Sequence, residues 1–303
     1  MASRLVVLMV VGSALAGCGR GPSPTATYVA YRAAFERAKA VDELLPFMDR
    51  ASRARAAATP ADERGFEVLK AYGALLEVAV LKETVTGDSA IVEATAVQMS
   101  DGGAVRGTIQ LVREDGAWRI QQEKWVDDAQ APRPSERSCP ELVSDLAGEA
   151  LVPRIRAAAA LRFRGCAEAV PALVARLSDP VKSVRDSAAS GLGQSIRAGD
   201  PADHAALVPT LAAAKARAAE AHELVVELGL QNAIAALGAA GVPQLVEDLE
   251  SPTREIRWGA ASSLGMMGPR ARGALPALRA ASAEEKDETV NERLTAAIAD
   301  VQR

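Results

Sequence analysis

Apolar residues recur along this chain at two different spacings. From Ile155 onward they come in triplets at i, i+4, i+8: Ile155, Ala159 and Phe163; Val184, Ala188 and Leu192; Val226, Leu230 and Ile234; Ile256, Ala260 and Leu264; Val290, Leu294 and Ile298. That spacing lays an apolar stripe along one face of a helix. The triplets begin 29, 42, 30 and 34 residues apart, in the range where self-similarity signals stacked helix pairs. A second, shorter apolar stretch precedes each triplet, as in Val170–Leu177 and Val242–Leu249. Between paired helices, Ser178-Asp179-Pro180 and Glu250-Ser251-Pro252 place a capping side chain before a proline at the next helix start. The pattern predicts about five helix pairs over 141–303. No single pair can bury its apolar face alone, so the pairs must share one core.

The region 26–127 reads differently. Helices are expected over Tyr28–Ala40 and from Thr59-Pro60-Ala61-Asp62 onward, where Thr59 caps, Pro60 fits the first helical position and Asp62 suits the positive end of the dipole. Phe66, Leu69, Tyr72, Leu76 and Val80 form the apolar stripe of that second helix. After Lys82, the turn signals Gly87-Asp88, Asp101-Gly102-Gly103 and Asp115-Gly116 separate β-rich runs carrying Val92, Ile109 and Trp118. The fold class is therefore a small α+β domain, with helices packed on an antiparallel sheet, followed by an all-α solenoid. Residues 128–140, with three prolines and little that is apolar, read as the linker between them.

The N-terminus changes the picture. Arg4 precedes an apolar run, Leu5–Ala16, whose twelve residues rise roughly 18 Å as a helix, short of a bilayer core of about 30 Å. A positive start, a brief apolar stretch and small residues mark an export signal over 1–17 that is removed before folding. The run ends Leu15-Ala16-Gly17-Cys18, which resembles the lipobox of bacterial lipoproteins. The resemblance implies that Cys18 is acylated and that membrane lipid is the first partner of the mature chain, held by a tether over 18–25. It places the protein in the bacterial cell envelope. Gly19 in place of the Asp that retains lipoproteins at the inner membrane points to the outer membrane where the source has two.

Charge and composition narrow the chemistry. The formal charge of −4 becomes −5 once Arg4 is removed, and no long basic run appears, which argues against a nucleic-acid partner. Cys139 and Cys166 remain as an even pair in an exported chain, where a disulfide is expected over a metal or nucleophile site; two inert thiols are the alternative. His204 and His222 lack a third ligand at metal spacing. No catalytic, cofactor-binding or metal-binding motif is present.

Two further resemblances bear on function. The run Leu111–Ile120, behind helices, resembles the small cystatin-like and ketosteroid-isomerase-like lipoprotein domains. It implies a sheet curled around a helix with a cavity that holds small molecules in some members. Tyr28, Tyr31, Tyr72, Trp118 and Trp125 fit core packing of such a domain better than a ligand site. Val184-Arg185 to Leu192-Gly193 and Ile256-Arg257 to Leu264-Gly265 resemble HEAT-like repeats of the phycobilisome-lyase type. The third unit departs with Glu227 in place of Arg, and the last with Asn291. In this family Arg156, Arg185 and Arg257 are expected to meet an acid of the adjacent unit, while Arg154, Arg156, Arg162 and Arg164 form a basic cluster read as a solvated face. Nothing marks a chromophore site, and the export signal argues against a bilin-lyase role. The expected function is a non-enzymatic, lipid-anchored scaffold that binds a protein through its repeats. The alternative is a small-molecule carrier or enzyme using the cavity of the first domain.

Overall fold

The computed structural model describes residues 21–58, 66, 74–129, 131 and 137–303. The expected signal segment, Cys18, the helix start at Thr59 and most of the proline-rich linker lie outside these residues. Contacts between Cα atoms divide the chain into two compact units, Met1–Lys70 with Ala79–Thr95 and Arg106–Trp125, and Ala71–Val78 with Ala96–Val105 and Val126–Arg303.

The first helix, α1, spans Pro24–Arg37 and begins inside the expected tether. The Ser23 side chain accepts from the Ala26 amide at 3.1 Å and Pro24 sits in the first turn, two features that favour a helix start. A 3₁₀ segment, Val41–Phe47, leads into α2, Arg50–Ala58, which the apolar pattern does not announce because it buries no side chain. Tyr28, Tyr31 and Phe35 recur at helical spacing on α1 and bury their rings together. Tyr31 lies 6.2, 6.1 and 6.0 Å from Tyr28, Phe35 and Phe47, distances at which aromatic pairs attract.

Four strands follow: β1 (Leu75–Thr86), β2 (Ser89–Gln98), β3 (Ala104–Glu114) and β4 (Ala117–Asp127). They pair in sequence order as an antiparallel meander. The turns sit where glycine was expected, and the β3–β4 turn takes positive φ at both Asp115 (51°) and Gly116 (78°), as a tight hairpin requires. One expectation fails here. Leu76 and Val80, assigned to a helical stripe, belong to β1, where burial alternates along Leu75–Val80. Val78, Val80 and Val85 are β-branched and favour the extended chain, and pairing with β2 settles a window that a helical spacing also fits.

Ten helices make up the second half: α3 (Cys139–Ala147), α4 (Leu151–Phe163), α5 (Val170–Arg176), α6 (Lys182–Arg197), α7 (Val208–Glu220), α8 (Leu224–Ala236), α9 (Val242–Asp248), α10 (Arg254–Met267), α11 (Leu275–Glu284) and α12 (Glu288–Gln302). They form five pairs. Cys139 and Pro140, expected at the end of the linker, are the first turn of α3, where Ser138 and Glu141 form a capping box. Four of the first helices open with an apolar residue and proline: Val170-Pro171, Val208-Pro209, Val242-Pro243 and Leu275-Pro276. Proline there gives up an amide that has no helical partner. The third unit is longer chiefly because α7 has 13 residues where α5 and α9 have 7, and a 3₁₀ segment, Pro201–Leu207, precedes it.

A single apolar cluster runs from Leu142 through Leu192, Leu230 and Leu264 to Val301. Of the expected triplets, those of α6, α8 and α10 are wholly buried. The first is out of phase: Phe163 is 81% exposed and Leu161 fills the core in its place. Ala157–Ala160 offer four successive alanines with no polar contrast, so nothing local fixes which side of α4 faces inward.

Candidate functional site

Two of the junctions between helix pairs are closed by an arginine at the same repeat position. Arg185, one residue past the first core position of α6, donates to the Asp179 and Pro180 carbonyls at 2.7 and 3.2 Å and grips Glu223 of the next pair. Arg257 repeats the arrangement on α10, with bonds of 3.0 and 3.2 Å to the Ser251 and Pro252 carbonyls and of 2.7 and 3.1 Å to Glu285. Each guanidinium thus closes its own turn and ties it to the following one, the forked geometry that arginine suits and lysine does not. Arg185 holds the Glu223 carboxyl below the usual carboxylate range. The Arg257 bonds, helped by the Asp287 and Lys286 amides, draw Glu285 down to about 2.

The same position on α4 differs. Arg156 donates to the Gly102 carbonyl at 2.7 Å within the second unit, so its expected acidic partner is replaced by a carbonyl. Nor do Arg154, Arg156, Arg162 and Arg164 share one solvated face. Arg154 is buried against Asp179 at 2.9 Å, Arg164 donates to the Arg137 carbonyl, and Arg162 lies 5.4 Å from the Phe163 ring. Asp179 also takes Arg176 at 3.5 Å. Its other carboxylate oxygen accepts from the Val181 amide at 2.9 Å, so Asp179 caps the turn, with α6 starting beyond it.

Where the third unit replaces arginine with Glu227, a buried polar knot forms instead. Lys215 of α7 pairs with Asp248 of α9, and Gln231 of α8 donates to Asp248 and to the Ile256 carbonyl at 2.9 Å each. Glu227 lies beside this knot. Burial pushes its carboxyl above the ordinary value, Lys215 opposes the rise and Asp248 adds to it. Cys139 and Cys166 are joined by a disulfide with Cα atoms 5.9 Å apart. The bridge ties the first turn of α3 to the loop after α4 and so braces the first pair.

The outward side of two second helices, α8 and α10, carries apolar groups that the core does not use. Trp258 (44% exposed) and Met266 (76%) project from α10, with Leu224 and Val225 exposed at the start of α8. Trp258 stands two residues past the core position Ile256, and Leu228 holds the equivalent place after Val226 on α8. Tryptophan and methionine are residue types enriched at protein interfaces.

In the first unit, the inward alternation of Trp118 and Ile120 passes to Glu123 and Trp125, a one-residue slip late in β4. Glu123 thereby faces α1. Its Oε1 accepts from the Tyr28 hydroxyl at 2.6 Å and the Trp125 indole at 2.7 Å, and Arg32 lies 3.5 Å away. Burial and this carboxylate raise the Tyr28 hydroxyl far above its ordinary value and push Tyr31 up to about 12. The tyrosines are packing and anchoring groups; the Trp125 ring covers Gly107, where an added Cβ would meet it at 2.6 Å. Tyr72 lies outside the described residues. Among the described residues no helix is long and apolar enough to cross a membrane, and no group of three or more His, Cys, Asp or Glu side chains could hold a metal ion.

Residues 169–197 match the HEAT repeat family. The match covers α5 and α6, the pair whose Asp179, Arg185 and Leu192 hold the arrangement just described. HEAT repeats are generally protein-interaction scaffolds, and the stacked pairs on either side continue the same architecture. Comparison with curated proteins finds no match. The acidic partners expected for Arg185 and Arg257 are found and that of Arg156 is not, while Trp258 and Met266 were not singled out from the sequence. Their signal was present as large apolar residues at positions that the stripe leaves pointing away from the core.

Proposed function

We propose that this is a non-enzymatic scaffold of the bacterial cell envelope, anchored to membrane lipid through acylated Cys18. Its HEAT-like array docks a protein partner on the outward face of α8 and α10. The anchor rests on the Leu15-Ala16-Gly17-Cys18 sequence. The docking rests on Trp258 and Met266, exposed on a helix whose inward stripe is fully used by the core. Stacked pairs suit this work because locally packed units create one extended surface. The carrier-or-enzyme alternative draws no support from Glu123, whose Oε1 is engaged by Tyr28, Trp125 and Arg32.

A photo-crosslinking residue placed at position 258 in intact cells should yield a discrete protein adduct that Met266→Asp removes. The same probe at Glu93, exposed on β2, should not yield it. An identical adduct pattern from both positions, or none from 258, would overturn the docking face.

A further inference from the structure

Between α9 and α11, the first helices of adjacent pairs, lies a cleft of about 620 Å³. That volume is within the range of roughly 300–1,000 Å³ common to ligand pockets. Leu249 and the alanines Ala277, Ala280 and Ala281 give it an apolar lining with no long side chain from α11 to fill it. Its polar lining includes Glu250 and Glu284. Each of these stands six residues before the first core position of the following helix, Ile256 and Val290, so the same repeat position bounds the cleft on two neighbouring pairs.

The charges are unevenly committed. Glu285 is taken by Arg257, at 2.7 and 3.1 Å, and by two backbone amides. Glu250 and Glu284 form no ion pair among the described residues, and Lys286 is the one other cation in the lining. Two carboxylates therefore face one ammonium. An anion would meet repulsion here. A purely apolar group would strip water from both carboxylates and return nothing. A chain of methylenes ending in a cation satisfies both parts, with its stem on the alanines and its head at the carboxylates.

We propose that this cleft seats an exposed arginine or lysine side chain of the protein partner. The inference rests on the reading of the array as a docking platform and adds a second contact on different helices, read by charge.

Saturation-transfer NMR on the full chain, with N-acetyl-arginine methylamide and its lysine and norleucine counterparts as probes, tests it. Transfer to the arginine or lysine methylenes should exceed that to norleucine at least fivefold. It should fall at least fivefold in Glu250→Gln/Glu284→Gln and vanish in Ala280→Leu, which fills the cleft from an exposed position; circular dichroism confirms that each variant folds. Equal transfer to norleucine, or transfer that survives Ala280→Leu, would overturn the assignment. So would displacement of the arginine probe by spermidine at concentrations a hundredfold lower, which would make the ligand a free polyamine. An adduct at position 258 without probe transfer removes the cleft and leaves the platform. Probe transfer without any adduct removes the partner protein as the source of the cation and overturns the proposal as well.

Discussion

Two glutamates in the helical array respond to pH with opposite sign. Glu285 is drawn down to about 2 by Arg257 and the neighbouring amides, so its contribution to stability is present above its ordinary value of 4.5 and is lost as pH falls toward 2. Glu227 is pushed above 4.5 by burial. The folded protein therefore binds its proton more tightly than the unfolded chain, and stability declines as pH rises from 4.5 through its folded value. Glu227→Gln should raise the melting temperature at pH 8, on the order of 2–4 °C for each kcal/mol recovered, and leave it nearly unchanged at pH 4. Glu285→Gln should do the reverse, lowering stability at pH 7 and losing that effect near pH 2. Thermal melts of both variants across pH 2–8 check the pair of signs. The sequence marked Glu227 as a departure from arginine. Its burial beside Lys215 and Asp248 was not legible, because those residues lie on three different helices.

At the scale of elements, close approach of helices from neighbouring pairs decides what a substitution does. An added Cβ at Gly229 of α8 would lie 2.8 Å from the Ala189 and Ser190 backbone of α6. Backbone atoms cannot swing aside, so Gly229→Ala should destabilise by the cost of overpacking, about 1–3 kcal/mol, despite a helix-propensity gain of about 1 kcal/mol. At Gly273 nothing lies within 4 Å, and Gly273→Ala should be neutral or mildly stabilising. Urea titration of the two variants separates these outcomes. Periodicity found the second helices because their core positions carry Val, Ile and Leu against polar neighbours. It lost phase on α4, where four alanines blur the contrast, and it extended a helical stripe into β1, where Leu76 and Val80 satisfy both periods until β2 pairs with the strand.

For the whole molecule, the expected anchor is tested by partitioning. Cys18→Ser should move the protein from the detergent phase to the aqueous phase, because the proposed attachment rests on acyl chains and no described helix is long and apolar enough to cross a membrane. Unchanged partitioning would remove lipidation and the envelope assignment that depends on it.

By itself the sequence determined the order of an α+β unit and about five helix pairs and the shared repeat position of Arg185 and Arg257, because these follow from local period, turn chemistry and repetition, and it favoured a Cys139–Cys166 bridge over two inert thiols. Tertiary structure alone decided that Arg156 meets a carbonyl, that Arg154 is internal, and that α9 and α11 leave a cleft between them. Those outcomes depend on which neighbour a helix packs against, and the apolar period of a single helix carries no information about its neighbour.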